Sequence, residues 1–260
     1  MNPSKKIGFI GLGQMAQAMI KGLDKENIFA SSRNFEKAKA TADNLGITAV
    51  ASNRALTEMC DVIVLAVKPD VIPSVLKELD LTDKLLISVA AGVSLENLSA
   101  DTSKSQAIIR VMPNVNAAIS ESTTAIVRNA NVTDADYQLT KNRLSQFGSV
   151  HELAESDFGV FAALAGSAPA FIYQFIDALA KAAENHGLTA SSARQIAAET
   201  VAASAHYLAK SARTADELSA QVATPGGSTE AGLKSLAADN FTQTILSALT
   251  ATIDKEKGLA

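Results

Sequence analysis

Apolar positions fall into two regimes along this chain. Up to about residue 153, short and nearly continuous apolar runs (KIGFIG, NIFASS, DVIVLAV, KLLISVA and AIIRVM) alternate with stretches of helical period at 14–23, 34–44 and 70–78. Runs apolar on both faces, each followed by a helix, predict a parallel sheet covered on both sides. A further strand pair is expected at TTAIVR and SVHELA, with a helix between them at 133–146. After Glu155 the alternation stops. Long alanine-rich helices are expected at about 156–185, 190–211, 214–221, 229–238 and 241–257, with NHGLTASSA ending one and capping the next. The pattern therefore predicts an α/β domain over 1–154 and an all-helical domain over 155–260.

Composition narrows the function without choosing it. Of 260 residues, 47% are apolar and 19% charged, which describes an ordered globular chain. A net charge of −4 with no basic run argues against a nucleic-acid surface. The single cysteine, Cys60, excludes an intrachain disulfide framework and points to a reducing cytoplasm. It stands beside DVIVLAV, where a buried small hydrophobe is expected. The start, MNPSKKIGFIGLGQM, resembles a weak leader, but glycines break its apolar run and no small-residue cleavage site follows, so export is not expected. Phe158–Ile176 carries no charge and is long enough to span a bilayer. It contains Gly159, Gly166, Ser167, Pro169 and Gln174, and Asp157 and Asp177 flank it. A helix buried in a dimer or a large core is the expectation, with no membrane partner.

The first chemical motif is Gly11-x-Gly13-x-x-Ala16, placed directly after a predicted strand and opening a predicted helix. Glycines there allow a tight turn and close approach of a pyrophosphate, which then sits on the helix N-terminus. This makes the first domain Rossmann-type, with Gly11, Leu12, Gly13, Gln14 and Met15 as the dinucleotide turn. The second strand should end where NAD enzymes place an acid on the ribose. Here the sequence supplies Ser31, Ser32, Arg33 and Asn34, with no carboxylate before Glu36. Arg33 beside Ser32 can pair with a 2′-phosphate, so NADPH is expected, with NADH weaker. The alternative is an ordinary solvated arginine. Three later strand ends are furnished for a ligand: Ala66, Val67, Lys68 and Pro69; Ala91 within SVAAG; and Met112, Pro113 and Asn114. Asn114 is a candidate for the nicotinamide amide or the substrate. No metal site is expected.

TPGGST at 224–229 raises a second question. It reads as a helix start, with proline initiating and Ser or Thr capping, and equally as an anion site, because free amides at a helix mouth attract negative charge. A ketone reductase of the β-hydroxyacid type needs a general acid for the developing alkoxide, typically a helix lysine. The helix FAALAGSAPAFIYQFIDALAK offers no ionisable group before Asp177 and Lys181. His151, His186 and His206 show no catalytic partner in sequence. An imine substrate removes the difficulty, because its nitrogen is protonated near neutral pH and needs orientation and a hydrogen bond more than an acid.

GxGxxA, AVKP, VMPN, ALAGSAPAF and TPGGSTEAGL occur in the order and spacing of the 1-pyrroline-5-carboxylate reductases, which the chain resembles over its whole length. The resemblance implies NAD(P)H-dependent reduction of the cyclic imine 1-pyrroline-5-carboxylate to L-proline. It also implies an intertwined homodimer, in some members assembled into decamers. By position, Thr229 matches the threonine that hydrogen-bonds the ring nitrogen. Gly226, Gly227 and Ser228 match the loop that presents amides to the substrate carboxylate, with Thr224 at its edge. By family analogy, this loop completes a site with the other subunit's nucleotide domain. Three departures stand out: Ala165 and Ala168 within the usual SGSGPA, Ser228 where Thr or Ala is commoner, and NVNAAI in place of NTPA after Asn114. The alternatives are a β-hydroxyacid-type NADP reductase and a non-catalytic NADP-sensing scaffold.

Overall fold

Eight strands of the first part of the chain form one sheet: β1 (Ile7–Ile10), β2 (Ile28–Ser31), β3 (Thr48–Ala49), β4 (Val62–Leu65), β5 (Leu85–Ser88), β6 (Ala107–Met112), β7 (Ser122–Arg128) and β8 (Gly148–Glu152). Their order is β3-β2-β1-β4-β5-β6-β7-β8. In this computed structural model, which describes residues 5–257, Met1–Ser4 of the leader-like start lie outside the described residues. Pairing is parallel from β3 through β6, antiparallel between β6 and β7, and parallel again between β7 and β8. The chain leaves β1 toward β2 on one side and returns to β4 on the other. The strand order thus reverses beside β1, and the crevice opens at its carboxyl end.

Alternate residues of the same strands serve two cores, which is why the runs are apolar on both faces. Phe9, Val62, Val64 and Ile109 join Ile20 and Phe147 on one face. Ile10, Ile63, Leu65 and Ile108 join Leu56 and Leu98 on the other. Each such fully buried Ile, Leu or Phe side chain contributes about 1.5–3 kcal/mol. The covering helices are α1 (Gln14–Gly22), α2 (Phe35–Leu45), α3 (Asn53–Met59), α4 (Ile72–Leu76), α5 (Leu95–Ala100) and α6 (Asp134–Leu144). Strand β3 and helices α3 and α5 are absent from the sequence pattern, since none is long enough to show a period.

The contacts divide the chain into residues up to Gly166 together with Ile253 onward, and Ser167–Thr252. The single helix expected over 156–185 is in fact segmented: a 3₁₀ turn at Glu155–Asp157, α7 (Phe158–Phe161), a π-helical stretch at Ala162–Ser167, and α8 (Ala168–Asn185). Phe158, Phe161 and Ala165 pack with Ala125 and Met112, which ties residues 155–166 to the sheet although their composition matches that of the later helices.

The second unit holds all of α8, then α9 (Ala190–Lys210), α10 (Ala215–Val222), α11 (Ser228–Ala238) and most of α12 (Phe241–Lys257). Its own core is small: Ala180, Ala193 and Ala197, where alanines let α8 and α9 approach closely. Ile172, Tyr173, Phe175, Ile196, Tyr207 and Leu246 are exposed. The apolar helix running to Asn185 is long and apolar enough to cross a membrane by length and composition, and only 22% of that window is buried within the chain. The chain alone therefore does not bury it, which sets aside the core half of the expectation and leaves the dimer half. Exposed apolar surface on this scale marks a partner face.

Candidate active site

A cleft opens at the carboxyl ends of β1, β2 and β4. Gly11, Leu12, Gly13, Ser32 and Arg33 line it, as do Ala66, Val67 and Lys68. Gly11 has φ +97°, and a Cβ there would stand 2.6 Å from the Ala66 carbonyl oxygen, so only glycine lets the turn rest on the end of β4. Gly13 is the N-cap of α1, makes no side-chain cap bond, and has no acidic residue after it in the first turn. A Cβ at Gly13 would meet nothing within 4 Å. The first-turn amides of α1 thus lack an intrahelical acceptor and a capping side chain, which suits an anion. Gln17 Nε2 donates to the Leu12 carbonyl at 2.8 Å and fixes the turn from below.

The end of β2 is organised by short polar contacts. Ser32 Oγ donates to the Asn34 carbonyl (3.2 Å), and Asn34 Oδ1 accepts from the Lys37 amide (2.9 Å), capping α2. Buried Ser31 donates to Asn53 Oδ1 at 2.8 Å, which leaves the Asn53 amide nitrogen as a donor on a residue that lines the cleft. Sequence reading missed Asn53, Lys37 and Arg54 as cleft residues. The signal for Asn53 and Arg54 was the Ser52 cap opening a short helix after β3.

Other expected cofactor residues take different places. Gln14 and Met15 open α1, and Pro69 opens a 3₁₀ turn after Lys68. Ala91 is exposed in the loop after β5, Met112 packs beside Phe158, and Pro113 is buried. None of these six is among the cleft-lining residues. Asn114 is 5% exposed and heavily committed. Its Oδ1 accepts from the amides of Asn116 and Thr123 (3.2 Å each), its amide donates to Ser122 Oγ (3.2 Å), and its Nδ2 donates to the Ala165 carbonyl (3.0 Å). It braces the end of β6 against the π-helical stretch, with one amide hydrogen to spare.

A partly buried ion pair starts two residues before Met112. Arg110 reaches Glu155 Oε1 at 2.7 Å, and the same oxygen accepts from the Leu95 amide at 2.7 Å. The Phe158 ring lies 4.5 Å from the Arg110 guanidinium carbon. Together they fasten the loop after β5 to β6. His151 faces Ser149 Oγ at 3.3 Å, a partner sequence did not show, while His186 caps the end of α8 and His206 is exposed on α9. Among the described residues, no group of three or more His, Cys, Asp or Glu could hold a metal.

The TPGGST loop belongs to the second unit. Its helix begins at Ser228, with Gly227 as the N-cap and no side-chain cap bond, so neither Ser nor Thr caps it as expected. A Cβ at Gly227 would stand 2.6 Å from Thr224 Oγ1, and the Gly227 amide donates to the Thr224 carbonyl at 2.9 Å. Gly226 has φ +73°, and its amide donates to Glu230 Oε2 at 2.8 Å. Lys234 pairs with the other Glu230 oxygen at 3.0 Å. That lysine, and then the Gly226 amide, hold the Glu230 carboxyl below the ordinary carboxylate range. Two of the amides expected to face a substrate are thus engaged within the loop. The Ser228 and Thr229 amides lie in the first turn, where a helix provides no acceptor.

Comparison with known proteins matches both units. Residues 155–259 fit the family described as pyrroline-5-carboxylate reductase dimerisation, and residues 6–92 fit the family described as NADP oxidoreductase, coenzyme F420-dependent. A pyrroline-5-carboxylate reductase of Aquifex aeolicus is 36% identical, over 98% of this chain and 97% of its own. The solved structure of the 1-pyrroline-5-carboxylate reductase of Streptococcus pyogenes superposes with a TM-score of 0.90 at 39% identity, covering 98% of each chain. A Plasmodium falciparum pyrroline carboxylate reductase solved with NADP bound gives 0.88 at 32% identity, again over 98% of each. The chain belongs to the pyrroline-5-carboxylate reductase family.

Proposed function

We propose that this pyrroline-5-carboxylate reductase works through two helix mouths, that of α1 for the cofactor and that of α11 for the substrate. The chain is an oxidoreductase that reduces 1-pyrroline-5-carboxylate to L-proline, the last step of proline biosynthesis, with NADPH as cofactor. Its helical unit carries the dimerisation region of the family, and it works as a homodimer. The observation that carries the division of labour concerns caps. Helices α2, α3, α5, α6, α9 and α10 are capped by Asn, Ser or Thr side chains, and α4, α7 and α8, which lack such a cap, continue from a preceding helical turn, whereas α1 and α11 start from loops at glycines without one.

The α1 mouth fits the cofactor. Its backbone approaches β4 closely at Gly11, its amides lack a capping side chain, and Arg33, Lys37, Arg54 and Lys68 surround the cleft with Glu78 as the one carboxylate among its lining residues. Gly11 through Met15 hold the pyrophosphate, Ser32 and Arg33 the ribose phosphate, and Ala66 through Pro69 with Ala91, Met112 and Pro113 border the nicotinamide half. Bound NADPH supplies the hydride to the imine carbon. At α11 the Ser228 and Thr229 amides attract the substrate carboxylate through the helix dipole, and the Gly226 amide joins them once Glu230 lets go. Gly227 and Thr224 hold the loop's shape. Thr229 Oγ1 hydrogen-bonds the ring nitrogen, whose proton comes from water before the carbon is attacked. Asn114, braced against the Ala165 carbonyl with one amide hydrogen to spare, bonds the nicotinamide amide or the substrate.

A decamer of five dimers is the larger assembly in this reading, and sedimentation velocity separates it from the dimer. The enzyme is placed in the cytoplasm, without nucleic-acid or membrane partners, in keeping with its acidic balance and lone thiol. The test is direct: purified protein oxidises NADPH when given 1-pyrroline-5-carboxylate, and NADH more slowly. Failure with both cofactors overturns the reading.

A further inference from the structure

The cleft carries more positive charge than the dinucleotide turn requires. Lys37 and Arg54 line it beside Arg33, and they come from separate elements: Arg33 from the end of β2, Lys37 from the first turn of α2, Arg54 from the first turn of α3. All three therefore lie on the β2–β3 side of β1, where an NAD enzyme keeps the acid that binds the ribose 2′-hydroxyl. We propose that Lys37 and Arg54 complete, with Arg33, a three-cation seat for the 2′-phosphate of NADPH, and that these two residues share in setting the preference over NADH.

Lys37 and Arg54 are anchored at their backbones and available at their tips. The Lys37 amide is held by Asn34 Oδ1, and its carbonyl accepts from Thr41 Oγ1 at 2.9 Å. Among the described residues, no carboxylate forms an ion pair with Lys37 or Arg33. Arg54 does have a partner, Glu58, but Nε is 3.7 Å from Oε1 and both side chains are more than 70% exposed. A pair that long and that solvated is worth little, so the guanidinium is free to turn to a better anion. Three like charges facing one cleft repel each other until an anion joins them, and a phosphate close to −2 is the anion that balances them best. Arginine adds a planar fork that matches phosphate oxygens. Asn53, beside Arg54, keeps its amide donors free because Ser31 occupies its oxygen.

The inference rests on the NADPH reading, and the experiment separates the two. Steady-state kinetics with NADPH and with NADH are compared for the wild type, Arg33→Ala, Lys37→Ala, Arg54→Ala, and Lys39→Ala as an off-cleft control on the same helix. Loss of one charge-assisted hydrogen bond should lower the ratio of kcat/KM for NADPH over NADH about tenfold in each cleft variant, and leave it in place in Lys39→Ala. Titration with adenosine 2′,5′-bisphosphate and with adenosine 5′-monophosphate should show the same variants losing affinity for the first chiefly. If Arg33→Ala alone lowers the ratio, or if Lys39→Ala lowers it as much as Lys37→Ala, the three-cation seat is wrong. A wild type without preference for NADPH overturns the underlying reading instead.

Discussion

The mouths of α1 and α11 look alike in sequence, two glycines ahead of a helix that opens on an amide or hydroxyl residue, yet they keep their amides in different states. At α1 no acid follows in the first turn, and the surrounding cleft is lined by four cations, so its first-turn amides wait on an external anion. At α11 the chain supplies its own: Glu230 accepts the Gly226 amide and is itself neutralised by Lys234. One mouth is built onto the packed carboxyl ends of interior strands, the other is held by hydrogen bonds within an exposed loop and to the first turn of its own helix. The first should tolerate little change and the second should bend.

The sharpest break in that comparison is the same substitution made in both loops. Gly11→Ala forces a left-handed backbone and sets a methyl 2.6 Å from a carbonyl oxygen, so we expect a loss of about 2–4 kcal/mol in denaturant unfolding together with NADPH binding. Gly226→Ala carries the strain alone, with nothing within 4 Å, and should cost only about 1 kcal/mol. Equal costs would show that the α11 loop is packed as tightly as the turn.

Thr229→Ala should lower turnover roughly 10- to 100-fold, the worth of a hydrogen bond to a charged nitrogen, while the NADPH dissociation constant stays within error. If fluorescence titration showed NADPH binding collapsing instead, Thr229 would belong to the cofactor. Gly13→Ala is the converse. Its φ of −69° accepts alanine and its Cβ has open space, so the fold should hold while NADPH affinity drops about tenfold from a methyl in the pyrophosphate path.

The smallest effect is a titration. Glu230 has its carboxyl held below the ordinary 4.5, so without substrate its grip on the Gly226 amide persists at neutral pH and is lost as pH falls through that lowered value. The amide proton shift of Gly226 should therefore move with a midpoint under 4.5, and Glu230→Gln should abolish that movement. A midpoint at or above the ordinary value would remove Glu230 from the loop.

Much of this was legible in the chain itself, for reasons that differ by region. The strands of the central sheet showed because two cores make them apolar on both faces, and the dinucleotide turn showed because only glycine meets its geometry. Strand β3, two residues long, and helices α3 and α5 left no period to read. The helical segment over 156–185 read as one piece because a π-helical stretch has the same composition as an α-helix. Asn114 looked like a ligand-binding side chain because its type and its place at a strand end suit that role. Its burial, and the four partners it holds, exist only in three dimensions. The cap at α11 was misread for a related reason. Serine and threonine at a helix mouth suggest capping, but Glu230, in the first turn of the helix, reaches back to the loop instead.

Cys60 gives the molecule a built-in clock. It is the chain's one thiol, 1% exposed between β1 and the end of α3, and burial together with neighbouring Asp61 pushes its pKa to about 11. An alkylating reagent at neutral pH thus finds almost no thiolate in the closed protein. Every adduct that forms records an excursion that exposed Cys60, so the labelling rate should follow the population in which α3 stands away from the sheet, with no engineered reporter in the chain.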